Sequence, residues 1–273
     1  MSTLQCGRFV LDLAQPKLMA IVNLTDDSFT GDGTHGDLDR MMQRAEMALE
    51  DGADMLDIGA ESSRPGSDPV PEAQELERVV RCVERLRSLQ VPLSIDTLKP
   101  AVMRAAIAAG ADMINDINGF NAEGAIEAVV DSTVGLCVMH MQGEPRTMQR
   151  NPQYIDVVED VAAYLDGRVR ALQAAGVAHD RIVVDPGFGF GKTVEHNFTL
   201  LRDLARFCRD GLPVLAGLSR KAMLGTVTGR PVEQRQVASV VAALIAVQRG
   251  AAIVRVHDVG ATRDALRVWQ AVS

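Results

Sequence analysis

Short apolar runs, each closing on or carrying a polar residue, alternate along the chain with amphipathic stretches of helical length. The runs are LMAIVN ending at Asn23, DMLDIG carrying Asp57, VPLSID ending at Asp96 and DMINDI carrying Asn115 and Asp116. After these come VGLCVMH ending at His140, RIVVD ending at Asp185, LPVLAGLS ending at Ser219 and AAIVRVH carrying Arg255 and His257. The run at 182–184 is too continuously apolar for a half-exposed strand, which alternates with period two, so it predicts a parallel sheet covered on both faces. Helices are predicted over 37–50, 71–89, 99–109, 122–130, 154–175, 196–208, 232–249 and 261–272. Gly52, Gly110, Gly176 and Gly250 each precede a run by a few residues, where left-handed helix C-caps are expected. Helix-to-strand loops are therefore short, and the longer strand-to-helix loops gather at the other end.

Residues Gly7–Leu13 (GRFVLDL) predict a short hairpin strand ahead of the main fold, ended by Pro16. Eight strand–helix units over 273 residues match an α/β fold of the (β/α)8 (TIM) barrel type, preceded by a short N-terminal β-hairpin. One domain is expected over 1–273, with the hairpin in 1–16 and the barrel in 17–273. An open doubly wound sheet is the competing architecture, because periodicity carries no information about closure.

In a barrel the strand ends converge on one rim, so Asn23, Asp57, Asp96, Asn115, Asp185, Lys221, Arg255 and His257 are expected to share a pocket. Asp96, Asn115 and Asp185 offer acceptors suited to a flat heterocycle edged with N–H groups. Lys221, Arg255 and His257 offer cations or donors suited to an anionic group such as a phosphate. Arg255 and His257 alternate with Val254 and Val256, which directs both toward the barrel interior, where an arginine is costly unless paired or liganded. Asn23 and Asp27 are candidates to hold a magnesium ion shared with substrate phosphates, with turn capping as the alternative for Asp27. Asp57 alone reads equally well as a helix N-cap, and His140 as a hydrogen-bonded structural histidine. The loops 24–36 and 60–71 are rich in Gly, Pro, Ser and Asp and are expected to be mobile and able to close over the site.

The stretch RIVVDPGFGFGKTVEHN (181–197) predicts a strand, a glycine-rich loop and a helix start, but two familiar phosphate motifs fail on spacing. Pro186 stands where a Walker A loop needs its first glycine, and Lys192 where a dinucleotide fingerprint starting at Gly187 needs its last. Cys6, Cys82, Cys137 and Cys208 lie far apart without CxxC spacing, against a zinc site or redox pair. A net charge of −8 and a pI near 5.2 disfavour a nucleic-acid partner. With 47% hydrophobic residues, a mean hydropathy of +0.05 and no apolar stretch near the ~18 residues of a membrane span, no membrane partner is expected. No secretory signal is apparent in Met1–Pro16, and the expected location is cytoplasmic.

In MAIVNLTDDSF (19–29), DIGAESSRPG (57–66), SID (94–96), ND (115–116), MHMQG (139–143), DPGFGFGKT (185–193), LSRK (218–221) and RVHDV (255–259), the chain closely resembles the dihydropteroate synthase family, in order and over nearly its whole length. The resemblance implies a (β/α)8 barrel that condenses 6-hydroxymethyl-7,8-dihydropterin diphosphate with 4-aminobenzoate, giving 7,8-dihydropteroate and pyrophosphate. It further implies Mg2+ as cofactor, the two small molecules as partners and a homodimer formed through outer helices, for which Ala238–Val247 is one candidate. By motif, Asp96, Asn115, Met139, Asp185, Phe190, Lys221 and Arg255 would bind the pterin. Asn23, Ser62, Ser63, Arg64, Arg255 and His257 would hold the diphosphate, with Asn23 also on the metal. Phe29, Ser63, Arg64, Pro65, Phe190, Ser219 and Lys221 would shape the aminobenzoate end, and Asp27, Asp96, Lys221 and Arg255 would carry the catalysis.

Asp26, Ser63 and Ala222 depart from the family's usual proline, threonine and serine, all toward the aminobenzoate end. Two other readings remain: a paralogue that binds pterin diphosphate without condensing it, and a methyltetrahydrofolate:corrinoid methyltransferase. The latter needs no diphosphate site, so Arg255-Val256-His257 together with Ser219-Arg220-Lys221 argues against it.

Overall fold

A computed structural model of the chain describes residues 3–23, 35–60 and 70–272. An antiparallel hairpin of β1 (Thr3–Cys6) and β2 (Phe9–Asp12) precedes a succession of strands and helices. The strands are β3 (Lys17–Asn23), β4 (Met55–Gly59), β5 (Leu93–Asp96), β6 (Met113–Asp116), β7 (Gly135–Met139), β8 (Ile182–Asp185), β9 (Leu215–Ala216) and β10 (Ile253–Val256). Around them lie α1 (His35–Glu50), α2 (Glu72–Leu86), α3 (Pro100–Ala109), α4 (Ala125–Val129), α5 (Val157–Ala174), α6 (Val194–Arg202), α7 (Ala222–Thr228), α8 (Gln236–Gln248) and α9 (Val259–Gln270).

All pairings from β3 to β10 are parallel, and neighbours follow chain order from β3 to β8. Strand β10 returns to β3 with Arg255 opposite Met19, and β9 pairs with β10. A parallel bridge between Val184 and Val214 joins β8 to the segment entering β9, so the sheet closes into a nearly complete barrel and the open alternative is excluded. An open doubly wound sheet would reverse its strand order at a switch point, and none occurs here.

Alternation within each strand sorts the residues to two cores. Leu18, Ala20, Val22, Leu56, Ile58, Leu93, Ile95, Val138 and Val254 pack outward against the helices. Met19, Met55, Met113, Cys137, Val183, Leu215 and Ile253 form a separate inner layer, closed from below by Leu4, Cys6 and Leu13 of the hairpin segment. The hairpin is pinned there by Arg8, whose Nε and Nη2 donate to the two oxygens of Asp112 at 2.9 and 2.8 Å. Asp112 in turn accepts from the Leu93 amide at the foot of β5.

Three local expectations shift. Gly7 lies in the hairpin turn rather than in a strand, because a Cβ there would come 2.6 Å from the Asp112 backbone and φ is +57°. The apolar run 212–219 yields only a two-residue strand, since Pro213 offers no N–H to a ladder. Helix α7 was not expected, its AMLGTVT sequence carrying glycine and β-branched residues that disfavour a helix locally. Elsewhere the predicted helices appear within a few residues, with Gly52, Gly110, Gly176 and Gly250 all at positive φ.

Replacing Gly7 by alanine should cost roughly 1–3 kcal/mol of stability, from the left-handed backbone together with the clash on Asp112. A denaturant titration showing an unchanged midpoint would refute this account of how the hairpin is docked.

Candidate functional site

Above the apolar inner layer the same inward-facing positions become polar. At the C-terminal rim, Asp96, Asn115, Ile117, Met139, Asp185, Phe188, Phe190, Gly217, Lys221 and Arg255 line a hollow of about 390 Å³, counting its open mouth. Each polar member sits at a strand end or in the loop that follows it. Apolar side chains share the lining with two carboxylates, an amide and two cations, and one of the cations, Arg255, is bonded to Asp96. That arrangement suits a flat, N–H-edged ring with an anionic substituent.

Arg255 anchors the electrostatics. Its Nε donates to Asp57 Oδ2 at 2.6 Å and its Nη2 to Asp96 Oδ2 at 3.2 Å. Asp57 is fully buried and also accepts from Ser94 Oγ at 2.6 Å and, more distantly, from Asn115 Nδ2 at 3.5 Å. It therefore serves as an internal counter-ion and caps none of the described helices. Burial works against the charge on Arg255, but Asp57 and Asp96 outweigh it and raise its pKa further.

The carboxyls facing the hollow are held at unusual values. Burial pushes Asp96 up to about 7; Arg255 pulls it down, while Asp57, Asp116 and Glu75 add to the rise. Asp185 is pushed up to about 6 by burial, restrained by the Gly187 amide at 2.7 Å and by Lys221, Lys192 and Arg255. Burial, then Arg255, lowers Lys221 to about 8, against the pull of Asp185 and Asp96. Its ammonium lies 4.2 Å from the centre of the Phe190 ring, a cation–π contact. Both carboxyls and the amine thus change charge within reach of neutral pH, a feature common at functional sites.

Local sequence explains the loop carrying Asp185. Gly187, Gly189 and Gly191 all have positive φ, which lets the chain fold tightly over the end of β7. A Cβ on Gly187 would lie 1.9 Å from the His140 carbonyl oxygen, and one on Gly191 2.4 Å from that of Gln142. Thr193 then caps α6 by accepting from the His196 amide, while His196 Nδ1 accepts from the Thr193 amide. His140 is buried and lowered to about 3 by that burial and by Lys192, so it stays neutral and structural.

Beside the hollow, Ser219 Oγ accepts from the His257 amide at 3.2 Å and pairs with His257 Nδ1 at 2.9 Å. The turn holding Ser219 and Lys221 passes through Arg220 at φ +58°, which is fixed by a two-bond ion pair to Asp258 and by Ser239.

Seven of the residues expected at the pterin thus line one hollow: Asp96, Asn115, Met139, Asp185, Phe190, Lys221 and Arg255. Ser219 and His257 adjoin it without lining it. Asp27, Phe29, Ser62, Ser63, Arg64 and Pro65 lie outside the described residues, as do Asp26 and most of the loops 24–36 and 60–71. Asn23 ends β3 at the rim opposite Gly59, but its side chain is not among those described. Ile117, Phe188 and Gly217 also line the hollow and were not singled out. Gly217 follows Leu215, and Ile117 follows Met113 and Asn115, at inward parity, a signal available once the strands are identified; Phe188 carried none.

The raised value of Asp96 has a consequence for stability. Its folded pKa of about 7 exceeds the ordinary 3.8, so the folded state holds this proton more tightly and loses stability as pH climbs through that interval. Asp96→Asn lacks the ionisation, so its stability relative to the unaltered chain should improve from about pH 4 to about pH 7 and then level off. Paired denaturation curves across that range test this; a gap independent of pH would contradict it.

With the geometry in view, comparison with known proteins gives consistent results. A family model described as pterin binding enzyme matches residues 19–257. Dihydropteroate synthase from Haemophilus influenzae is 50% identical over 96% of this chain and 96% of its own length. The crystal structure of Burkholderia cenocepacia dihydropteroate synthase complexed with 7,8-dihydropteroate is 57% identical, superposes with a TM-score of 0.91, and is matched over 99% of this chain and 96% of that one. That of Xanthomonas albilineans dihydropteroate synthase with 4-aminobenzoic acid is 50% identical with a TM-score of 0.92, over 99% and 97%. Matches of this identity along almost the full length leave one assignment: the chain belongs to the dihydropteroate synthase family of pterin-binding enzymes.

Proposed function

We propose that this chain joins 6-hydroxymethyl-7,8-dihydropterin diphosphate to 4-aminobenzoate, forming 7,8-dihydropteroate and releasing pyrophosphate. The observation that carries the reading is the gathering of Asp96, Asn115 and Asp185 with Lys221 and Arg255 around one hollow. Relatives that hold dihydropteroate and 4-aminobenzoic acid support it.

The methylene C–O bond of the pterin breaks first, and its electron pair leaves with the diphosphate. The aminobenzoate nitrogen then attacks the resulting cation and gives up a proton. Such a path needs no covalent nucleophile; it needs fixed charge on both sides of the breaking bond. Asp96, Asn115 and Asp185 accept the ring's N–H groups, and the negative charge of the two carboxylates favours the cation. Met139, Phe190 and the stem of Lys221 hold the ring flat, and the Lys221 ammonium and Arg255 guanidinium face the electron-rich edge.

Arg255, His257, Asn23, Ser62, Ser63 and Arg64 take the diphosphate; Phe29, Ser63, Arg64, Pro65, Phe190, Ser219 and Lys221 receive the aminobenzoate; Asp27 joins the catalytic set with Asp96, Lys221 and Arg255. Among the described residues no three His, Cys, Asp or Glu side chains gather as a metal site. The Asn23 amide oxygen is nonetheless a hard donor of the kind Mg2+ accepts, and Mg2+ on a phosphate usually takes only one or two protein oxygens. When bound, it would neutralise charge on the departing diphosphate.

The reading extends to one cytoplasmic domain over 1–273 acting as a homodimer. No described helix is long and apolar enough to cross a membrane. Val237 and Val241 are exposed on α8, a face suited to a second copy.

Pyrophosphate release that requires 4-aminobenzoate is the direct test; binding of pterin diphosphate without such release would overturn the reading. Lys221→Ala should lower kcat/KM for the pterin diphosphate by more than about tenfold while circular dichroism stays unchanged. The free-enzyme pH profile of kcat/KM should rise between about 6 and about 7 as Asp185 and Asp96 ionise, and fall above about 8 as Lys221 loses its proton. A flat profile over that range would remove these groups from pterin binding.

A further inference from the structure

Lys192 is only 3% exposed, although it is a cation at the start of a helix. Its ammonium donates to His140 Nδ1 at 2.9 Å, to the Gly187 carbonyl at 2.9 Å and to the Phe190 carbonyl at 3.0 Å, with the His140 carbonyl more distant at 3.4 Å. An ammonium has three N–H donors, and three of these acceptors lie within 3.0 Å. All are neutral, and among the described residues no carboxylate lies in direct contact with the buried cation to offset its desolvation. Space-filling alone would be served better by an apolar side chain.

What the three acceptor residues share is contact with side chains or backbone of residues that line the hollow. The His140 amide donates to the Asp185 carbonyl at 3.0 Å, the Gly187 amide donates to the Asp185 carboxylate at 2.7 Å, and the Phe190 ring lies against the Lys221 ammonium. His140 belongs to the loop after β7, whereas Gly187 and Phe190 belong to the loop after β8. We propose that Lys192 is a positioning residue of the pterin site, tying these two loops together so that Asp185 and Phe190 stand in register and supplying a positive charge behind Asp185. The proposal rests on the reading of the hollow as a pterin site.

The groups that set the charge around Lys192 come from several elements. His140 faces it from the loop after β7, with Tyr164 and Tyr154 packed on the His140 ring at 4.8 and 6.0 Å, and His196 of α6 on Tyr154 at 5.0 Å. Asp185 of β8 attracts it, and Lys221, after β9, repels it. Arg255 of β10 acts with Lys192 on Asp185. Burial lowers Lys192 to about 7, with Lys221 adding to the fall and Asp185 opposing it. A neutral amine keeps only two donors for three acceptors, so the charged form is the one that satisfies the loop. The positive charge also holds down the pKa of Asp185, so removing it should make that carboxylate harder to ionise.

The experiment compares the full chain with Lys192→Met and Lys192→Gln, measuring affinity for 6-hydroxymethyl-7,8-dihydropterin diphosphate calorimetrically from about pH 5 to about pH 9. Lys192→Met should bind about tenfold or more weakly at neutral pH, with the acid limb of binding moved up by about half a pH unit or more. Lys192→Gln keeps two donors without the charge, so it should recover part of the affinity and none of the shift. That split separates hydrogen bonding from charge, which a residue that merely stabilised the fold would not do. An acid limb at the same pH in folded variants overturns the proposal. So does failure of both variants to fold, which would make Lys192 a folding residue instead. Absence of binding by the unaltered chain at every pH would overturn the pterin reading itself, a different result from either.

Discussion

Closing eight strands into a ring forces alternate residues of every strand into one shared interior, and the rest of this structure follows from how that interior is filled. Its lower layer is apolar, from Met19, Met55, Met113, Cys137, Val183, Leu215 and Ile253, and the hairpin seals it from below. Two residues further along the same strands, the inward positions become Asp57, Asn115, Met139, Asp185, Gly217 and Arg255. One period of alternation therefore separates a structural plug from a chemical site. The plug keeps water from below and gives the charged layer a firm, low-dielectric floor.

Charge in such a place is costly, and the arrangement offsets the cost by mutual pairing. Arg255 spans two carboxylates, and the deeper one, Asp57, is fully buried and further satisfied by Ser94. Asp96 and Asp185 face the hollow, and burial leaves them raised toward neutrality despite the cations beside them. A ligand carrying N–H donors and an anionic group would complete what the protein leaves partly met. Stability withheld in the free protein is recovered on binding, the usual sense in which a site is poised. The same logic covers the loops: glycines at 187 and 191 permit backbone contact with the β7 loop, and Lys192 bonds across the seam.

Much of this was legible in the chain. Apolar runs ending in Asn23, Asp96, Asp185 and Arg255-Val256-His257 marked the strand ends, and glycines before the strands marked the short loops. Such signals are local, depending on residues a few positions apart. The weak points were local too: Pro213 shortened β9, and α7 formed against its own propensities because Met223 and Leu224 bury against the core. Asp57 read equally well as a helix cap, since nothing within its own segment distinguishes a cap from a counter-ion.

By itself the sequence determined the number and order of strand–helix units, the polar identity of the rim and, through its motifs, the family. The tertiary structure alone decided partnership. Arg255 meets Asp57 across 198 positions and Asp96 across 159. Lys192 meets His140 across 52. Periodicity reports which way a side chain faces relative to its own strand; closure decides what it faces, because only then do inward directions from separate strands converge on one point.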